Sequence, residues 1–272
     1  MTMAIFRDDS SERYDISMFP YSVVSDQGIS SVSHSTVPLL GSKLRTPSID
    51  GCFERDWLIG LVERSAKDAA ATLIIGRAGA GKTAIAAGYA AKIQEHSWYS
   101  LDSTDADWAS FQKYFWAALM PESRRKKSDI GLNEPPYRST PLELFADIAA
   151  RMELRGETWP PLLVLDGIHH LYDTTWFDEF FSILVPSMPY TSHVLMTARS
   201  RPTAPVWRMR SKQVLNVIDE KLLTFSLSET KDLFARYGLS REQAATAHRE
   251  TFGRAADIVA YIRSASIAQI LK

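Results

Sequence analysis

Ala71-Thr72-Leu73-Ile74-Ile75 runs directly into Gly76-Arg77-Ala78-Gly79-Ala80-Gly81-Lys82-Thr83, and the reading of this stretch decides the fold. The first five residues are short, aliphatic and followed by glycine, the pattern of a strand buried on both faces of a parallel sheet. The next eight satisfy GxxxxGK[ST], in which successive backbone amides wrap a phosphate chain and the following helix aims its positive end at it. Glycines at 76, 79 and 81 permit close backbone approach. Lys82 reaches the β- and γ-phosphates, and the Thr83 hydroxyl suits Mg²⁺. With Ala80 and Ala84 completing the turn and opening the helix, Gly76, Gly79, Ala80, Gly81, Lys82, Thr83 and Ala84 form the expected binding loop for ATP or ADP.

Working outward, strand and helix signals alternate, which is the rhythm of a parallel α/β sheet flanked by helices. A helix is expected over Asp56–Arg64, another from Lys82 to about Glu95, a strand over Ser97–Leu101 and a helix from about Ala106 to Leu119. Thr140, Pro141 and Glu143 start a further helix with the spacing of a capping box. Strands follow at Leu162–Leu165 and His193–Thr197, separated by an aromatic helix with Trp176, Phe177, Phe180 and Phe181. Two β-type segments at Val214–Val217 and Leu222–Phe225 end the sheet. From Ser226 the pattern is helical only. The expected organisation is a Ser-rich extended or disordered arm over residues 1–40, a P-loop NTPase core over 41–226 and a small all-helical lid over 227–272.

A P-loop needs an acidic residue at the end of a neighbouring strand to orient Mg²⁺, and Leu162-Leu163-Val164-Leu165-Asp166 has that form. Asp166 is the metal-side carboxylate. In fast hydrolases a second carboxylate often follows and polarises the attacking water; here the next residue is Gly167, so slow turnover is expected. Arg199, just past the strand 193–197, falls at the same carboxyl edge of the sheet, where ligands bind in open α/β folds, and is placed to sense the γ-phosphate. Lys82, Asp166 and Arg199 are the candidate catalytic set, Thr83 and Asp166 the metal pair. His169 and His170 are adjacent and are expected to point in different directions, with no third ligand spaced to join them on a metal.

The bulk numbers limit the alternatives. The chain has 272 residues, 45% apolar and 23% charged, with 31 Lys plus Arg against 32 Asp plus Glu for a net charge of −1. This excludes disorder throughout and gives no global field for nucleic acid or anionic membrane. The Arg124-Arg125-Lys126-Lys127 cluster, without interleaved aromatics, reads as a solvated loop within the polar stretch 121–139. No apolar run approaches the roughly 18 residues needed to span a bilayer, and the start lacks the basic-then-apolar order of a secretory signal, so a cytoplasmic location is expected. The single Cys52 has no internal disulfide partner and reads as a small structural residue.

With these residues in place, the sequence resembles the signal-transduction ATPases with numerous domains (STAND), and within them the nucleotide-binding module of MalT-like LuxR-family transcriptional regulators. The resemblance covers about residues 40–265. It is carried by Ser42-Lys43-Leu44-Arg45-Thr46-Pro47 and Arg55, by Trp98-Tyr99-Ser100-Leu101-Asp102, by Leu165-Asp166 through His169, and by Thr197-Ala198-Arg199-Ser200-Arg201-Pro202. It implies that Arg55 contacts the nucleotide and that Arg199 is the sensor arginine. It further implies an ATP-dependent switch that self-associates or engages a protein partner. The family's glycine-x-proline motif stands here as Gly253-Arg254-Ala255, so its proline contact to adenine is expected to be lost or replaced. The sequence stops at Lys272, short of the family's winged-helix, repeat sensor and helix-turn-helix regions, so DNA binding is not encoded in these residues, whether they are the amino-terminal piece of a longer regulator or a short relative. An active ATPase or phosphotransferase, and a nucleotide-free interaction module, are the alternative functions.

Overall fold

The computed structural model describes residues 40–120, 137–156, 158–204 and 206–270. The expected arm and the Arg124–Lys127 loop lie outside these. Ten helices and five strands follow in the order α1 (Asp56–Asp68), β1 (Ala71–Ile75), α2 (Lys82–Ala90), β2 (His96–Ser100), α3 (Trp108–Leu119), α4 (Pro141–Arg155), β3 (Leu162–Asp166), α5 (Phe177–Leu184), β4 (His193–Ala198), α6 (Val206–Ser211), β5 (Leu215–Ile218), α7 (Glu220–Leu223), α8 (Leu227–Arg236), α9 (Arg241–Thr251) and α10 (Ala255–Ile270) among the described residues.

The strands form one sheet in the order β2-β3-β4-β1-β5, with every pairing parallel. β1, β3 and β4 have nearly every residue buried, as strands covered on both faces must. Period-two alternation then divides the core. Leu73 and Ile75 face a large layer built with α3, α4 and α5, where Phe111 packs edge-on to Phe180 at 4.8 Å and against Trp176 at 4.7 Å. Ile74 faces a second layer with Leu58 and Val62 of α1 and Ala86 and Ala90 of α2.

The expected elements are present with shifted ends, and one changes type. Leu222 and Leu223, expected on a strand, lie in the short helix α7. Leu223 is buried against the α1–α2 layer while Leu222 stays exposed, so the helical turn after β5 sends one leucine inward instead of extending the sheet. Thr140 caps α4 by accepting from Glu143 N at 3.2 Å, but the Glu143 carboxylate takes the Ser139 amide at 2.8 Å and not that of Thr140, so the box closes one residue early.

The SKLRTP segment is anchored by its lysine. Lys43 is buried and donates to both Asp105 oxygens at 2.8 and 2.9 Å, with Asp102 at 2.9 Å, and Tyr99 donates to the same Asp105. Burial disfavours the ammonium, yet the two carboxylates outweigh it and raise its pKa. The residues after α7 build a separate small core from Phe225, Leu233, Phe234, Leu239, Ala244, Ala247, Ile258 and Ile262, joined by Phe53 from the segment ahead of α1.

At the amino-terminal edge of the sheet, His193 bridges two strands. Its Nδ1 donates to Ala69 O at 3.1 Å, and its Nε2 shares a 3.0 Å hydrogen bond with the Thr72 hydroxyl, accepting from it when the ring is neutral. Burial lowers its pKa to about 4. A histidine depressed in the fold binds fewer protons than in the unfolded chain between pH 6.5 and 4, so its stabilisation is full above 6.5 and lost as pH falls toward 4. Urea unfolding of the wild type should therefore lose on the order of 3 kcal/mol from this group over that window. His193→Gln should remove that share of the slope; an identical pH dependence in the variant contradicts the assignment.

Candidate functional site

The site is set by strand register. Ser100 pairs with Asp166, Asp166 with Thr197, Thr197 with Ile74, and Ile74 with Ile218, so one row crosses the sheet near its carboxyl edge. The P-loop leaves β1 one residue beyond that row and feeds α2. β4 lies between β1 and β3, so the Asp166 strand is next but one to the P-loop strand, where an adjacent strand was expected, and Arg199 follows the adjacent one. At this edge the chain steps from β1 across to the far strand β2 and returns through β3 and β4, the kind of switch point at which open α/β sheets bind ligands.

The carboxylate closes the gap between the two strands. Thr83 Oγ1 donates to both Asp166 oxygens, each at 3.0 Å, and Thr197 Oγ1 donates to Asp166 Oδ1 at 2.5 Å. Gly167 N donates to Thr197 Oγ1 at 3.0 Å. A hydroxyl and a carboxylate in contact are a hard oxygen donor set of the kind that Mg²⁺ takes in small number beside substrate phosphates, so the residues fit that ion. Thr197 is the residue that sequence reasoning missed here. Its signal was a lone hydroxyl inside the apolar run Val194-Leu195-Met196.

Lys82 curls over the loop. Its Nζ donates to Gly76 O at 2.6 Å and to Arg77 O at 3.0 Å, bonds that a phosphate oxygen can replace. Burial lowers its pKa, countered by Asp166 and reinforced by the positive charge of Arg199. Arg199 itself is exposed. Arg77 is held by Glu220 of α7, through Nε at 2.8 Å and its backbone amide at 3.2 Å.

The helical part after α7 rests directly on the P-loop. Arg254 Nη2 donates to Ala78 O at 2.7 Å, and Ala256 N donates to Gly79 O at 3.0 Å. Gly79 has φ +77°, and a Cβ there would lie 2.5 Å from the Ala256 Cβ. The absence of a side chain is therefore required twice, by the backbone turn and by α10. Where the family has a proline, Ala255 lines a narrow crevice of about 10 Å³ with Ala80, Glu220, Leu223, Thr224 and Arg254.

Arg55 sits at the joint between the two parts. Its guanidinium donates to Glu229 at 2.8 and 3.2 Å, to Leu223 O at 2.5 Å and to Thr224 O at 2.9 Å, with its face 4.3 Å from the Phe225 ring centre. The Trp57 indole adds a 2.8 Å bond to Glu229. Burial raises the Glu229 pKa, but the bonds from Arg55, Trp57 and the Ser226 amide win and bring it to about 2.

His169 and His170 follow Gly167 in a single 3₁₀ turn (Ile168–Leu171). Contrary to expectation their rings lie together, with centroids 4.2 Å apart. Both His169 ring nitrogens are buried without a hydrogen-bond partner. Its pKa falls to about 4, through burial first and then the positive fields of His170, Arg199 and Lys82. Among the described residues no group of three His, Cys, Asp or Glu is arranged to hold a metal ion by itself.

A parallel sheet with a glycine turn after its inner strand, a lysine over that turn and a hydroxyl–carboxylate pair beside it define the P-loop NTPase fold. No protein-family model matches the chain. Over 159 residues it is 30% identical to the HTH-type transcriptional regulator MalT of Vibrio cholerae and 28% identical to that of Vibrio campbellii. Each match covers 58% of this chain and 17% of the regulator, so the alignment spans about a sixth of the curated relatives' length. Among solved structures, a STAND protein with a tetratricopeptide repeat sensor from Pyrococcus horikoshii superposes with a TM-score of 0.51 at 19% identity, covering 77% of this chain and 29% of that one. The Walker-type ATPase of Pyrococcus abyssi gives 0.51 at 13% identity, covering 78% and 67%. The sequence match is to MalT, and the fold shared with the solved structures is that of the P-loop NTPases.

Arg55→Ala leaves the Glu229 carboxylate without its cation and should cost about 3 kcal/mol in denaturant unfolding at pH 7. Glu229 is depressed in the fold, so its contribution is present above pH 4.5 and lost as pH falls toward 2. The wild type and the variant should accordingly converge in acid; a gap that stays constant down to pH 2 contradicts the pair.

Proposed function

We propose that the chain is an ATP- and Mg²⁺-binding regulatory switch with slow or no hydrolysis, the nucleotide-binding module of a MalT-like regulator or of a short relative acting through a protein partner or self-association. The observation that carries the reading is the meeting of Thr83 and Asp166 beside a P-loop whose lysine covers the loop mouth. The amides of the loop from Gly76 to Ala84 cradle the phosphates, and Lys82 exchanges its two carbonyl acceptors for phosphate oxygens. Thr83 and Asp166 hold Mg²⁺, which neutralises phosphate charge when bound. Arg199 senses the γ-phosphate. Arg55 acts at the joint through α7 and Glu229, or on the nucleotide directly once the lid shifts. In this reading the protein works in the cytoplasm; no helix among the described residues is long and apolar enough to cross a membrane.

The switch follows from where the lid sits. Its contacts to Ala78 and Gly79 are made to the same loop that must wrap phosphates, and the crevice at Ala255 is too small for a purine. A nucleotide therefore binds a lid position different from this one, and only such differential contact shifts a population. Gly167 after Asp166 removes the second carboxylate, which favours holding nucleotide over turning it over.

Mass spectrometry of nucleotide released from purified protein tests this. Wild type should retain adenine nucleotide, and Lys82→Ala should lose it, with affinity reduced at least about a hundredfold from a lost pair of charge-assisted bonds. Equal nucleotide in both preparations, or none in either even after titration with ATP and Mg²⁺, sinks the reading.

A further inference from the structure

A cavity of about 400 Å³ opens at the amino-terminal edge of the sheet, the edge opposite the P-loop. Chain order builds it. Glu63 and Lys67 come from one face near the end of α1, Tyr89 from the last turn of α2 with Lys92 just beyond it, and Ser192 and His193 from the entry to β4. Ala66, Ile93 and Pro161 add apolar wall. The volume falls within the roughly 300–1,000 Å³ of small-ligand pockets, and an apolar wall with a few polar groups is their usual make-up. None of these residues takes part in the nucleotide reading.

We propose that this cavity is a second ligand site, one that takes a small organic molecule with an apolar body and a single carboxylate, Lys92 being its counter-charge and the Ser192 and Tyr89 hydroxyls its donors. Two observations carry this beyond the size of the cavity. The first is an unmet hydroxyl. Ser192 is only 7% exposed, and its Oγ is buried without a hydrogen-bond partner. Buried polar groups are nearly always paired, and an orphan in a cavity wall is accounted for by a partner that arrives. Rotation about one bond moves that oxygen among its staggered positions, so meeting a ligand needs no backbone change. His193 beside it does not compete, because Ala69 O and the Thr72 hydroxyl engage both of its ring nitrogens.

The second observation is the charge. Two lysines in the wall share one carboxylate, Glu63, which accepts from Lys67 at 2.9 Å. Lys67 first, and then Lys92, lower the Glu63 pKa, so this carboxylate is ionised and already engaged. With His193 neutral, one positive charge is left over, which matches a carboxylate better than a phosphate monoester with its charge of about −1.5 to −2. Burial, and then Glu63, raise the Tyr89 pKa, so the phenol keeps its proton and remains a donor. α1 and α2 turn their carbonyl ends to this edge, so an anion here is held by side chains alone, unlike a phosphate at the start of α2.

Amide NMR titration of the full 272-residue chain with benzoate, and with benzamide as its uncharged isostere, tests the proposal. Benzoate should shift the amides of Lys92, Ser192 and His193 saturably, with a Kd of about 1 mM or below, and benzamide should bind at least about fivefold more weakly. Lys92→Ala should weaken benzoate about fivefold, as loss of a solvent-exposed ion pair does. Ser192→Ala should weaken it about tenfold, as loss of one hydrogen bond to a charged group does, while leaving the thermal midpoint unchanged or raised, because the hydroxyl has no partner to lose in the free protein. That combination separates ligand contact from a folding role. Lys82→Ala should bind benzoate as the wild type does, which keeps this site distinct from the phosphate loop. Absence of saturable shifts at these amides, equal binding of benzamide, unchanged benzoate affinity in either cavity variant, or loss of benzoate binding in Lys82→Ala overturns the proposal.

Discussion

Everything at the carboxyl edge of the sheet depends on one carboxylate that must be shared. Asp166 ends β3, the P-loop leaves β1, and β4 runs between them, so nothing in the hydrogen-bonded sheet joins these two ends directly. Asp166 makes the join by accepting from Thr83 at the start of α2 and from Thr197 of β4. Parallel register is what allows it, because Asp166, Thr197 and Ile74 fall in one row. A slip of one residue in β3 would turn the carboxylate to the opposite face and separate the pair. The apolar runs of β1, β3 and β4, buried on both faces, fix that register by core packing, so the chemistry is positioned by residues that carry none themselves.

A second constraint acts on the lid. Its own core is small, and it is held to the larger part by polar bonds concentrated at two points: Arg55 with Glu229, and Arg254 and Ala256 with the P-loop backbone. Such bonds are each modest in net worth and strongly dependent on geometry. They can therefore be exchanged for others of similar energy when a ligand supplies a better partner, whereas the aromatic layer under α3 and α5 cannot be rearranged so cheaply. The two parts thus differ in how readily they yield, and the border between them passes through the phosphate loop.

Most of this was legible in the sequence because the signals were local. GxxxxGK[ST] after an aliphatic run, an aliphatic run ending in aspartate, and caps at Ser226 and Ser240 each declare an element within a few residues, and both serines do close their capping boxes. What was hidden depended on contacts between distant segments. Leu222 and Leu223 read as extended until α7 is seen to bring Glu220 under Arg77. The interleaving of β4 between β1 and β3 leaves no mark on either strand. Gly253-Arg254-Ala255 read as a motif with its proline missing, yet the arginine beside it reaches 176 residues back to Ala78. Thr197 and His169 stood within stretches that carried the resemblance, but nothing local marked Thr197 as a partner of Asp166 or the two imidazoles as neighbours.

Gly167 shows how far backbone geometry can govern chemistry. Read as a residue, it is a carboxylate replaced by hydrogen, a change that one substitution reverses. Read with its conformation, it is a left-handed turn whose amide is held by Thr197 and whose Cβ direction meets the Leu101 carbonyl and both histidines. An aspartate placed there would carry the strain of a positive φ and push against main-chain atoms that belong to β2's exit. The turn and the two imidazoles behind it therefore form one unit with Asp166, in which the room needed by a water-polarising carboxylate has been given over to the 3₁₀ turn. A carboxylate there would take a different path for the chain between Asp166 and Leu171, so its absence is built into the course of the backbone as much as into the identity of one residue.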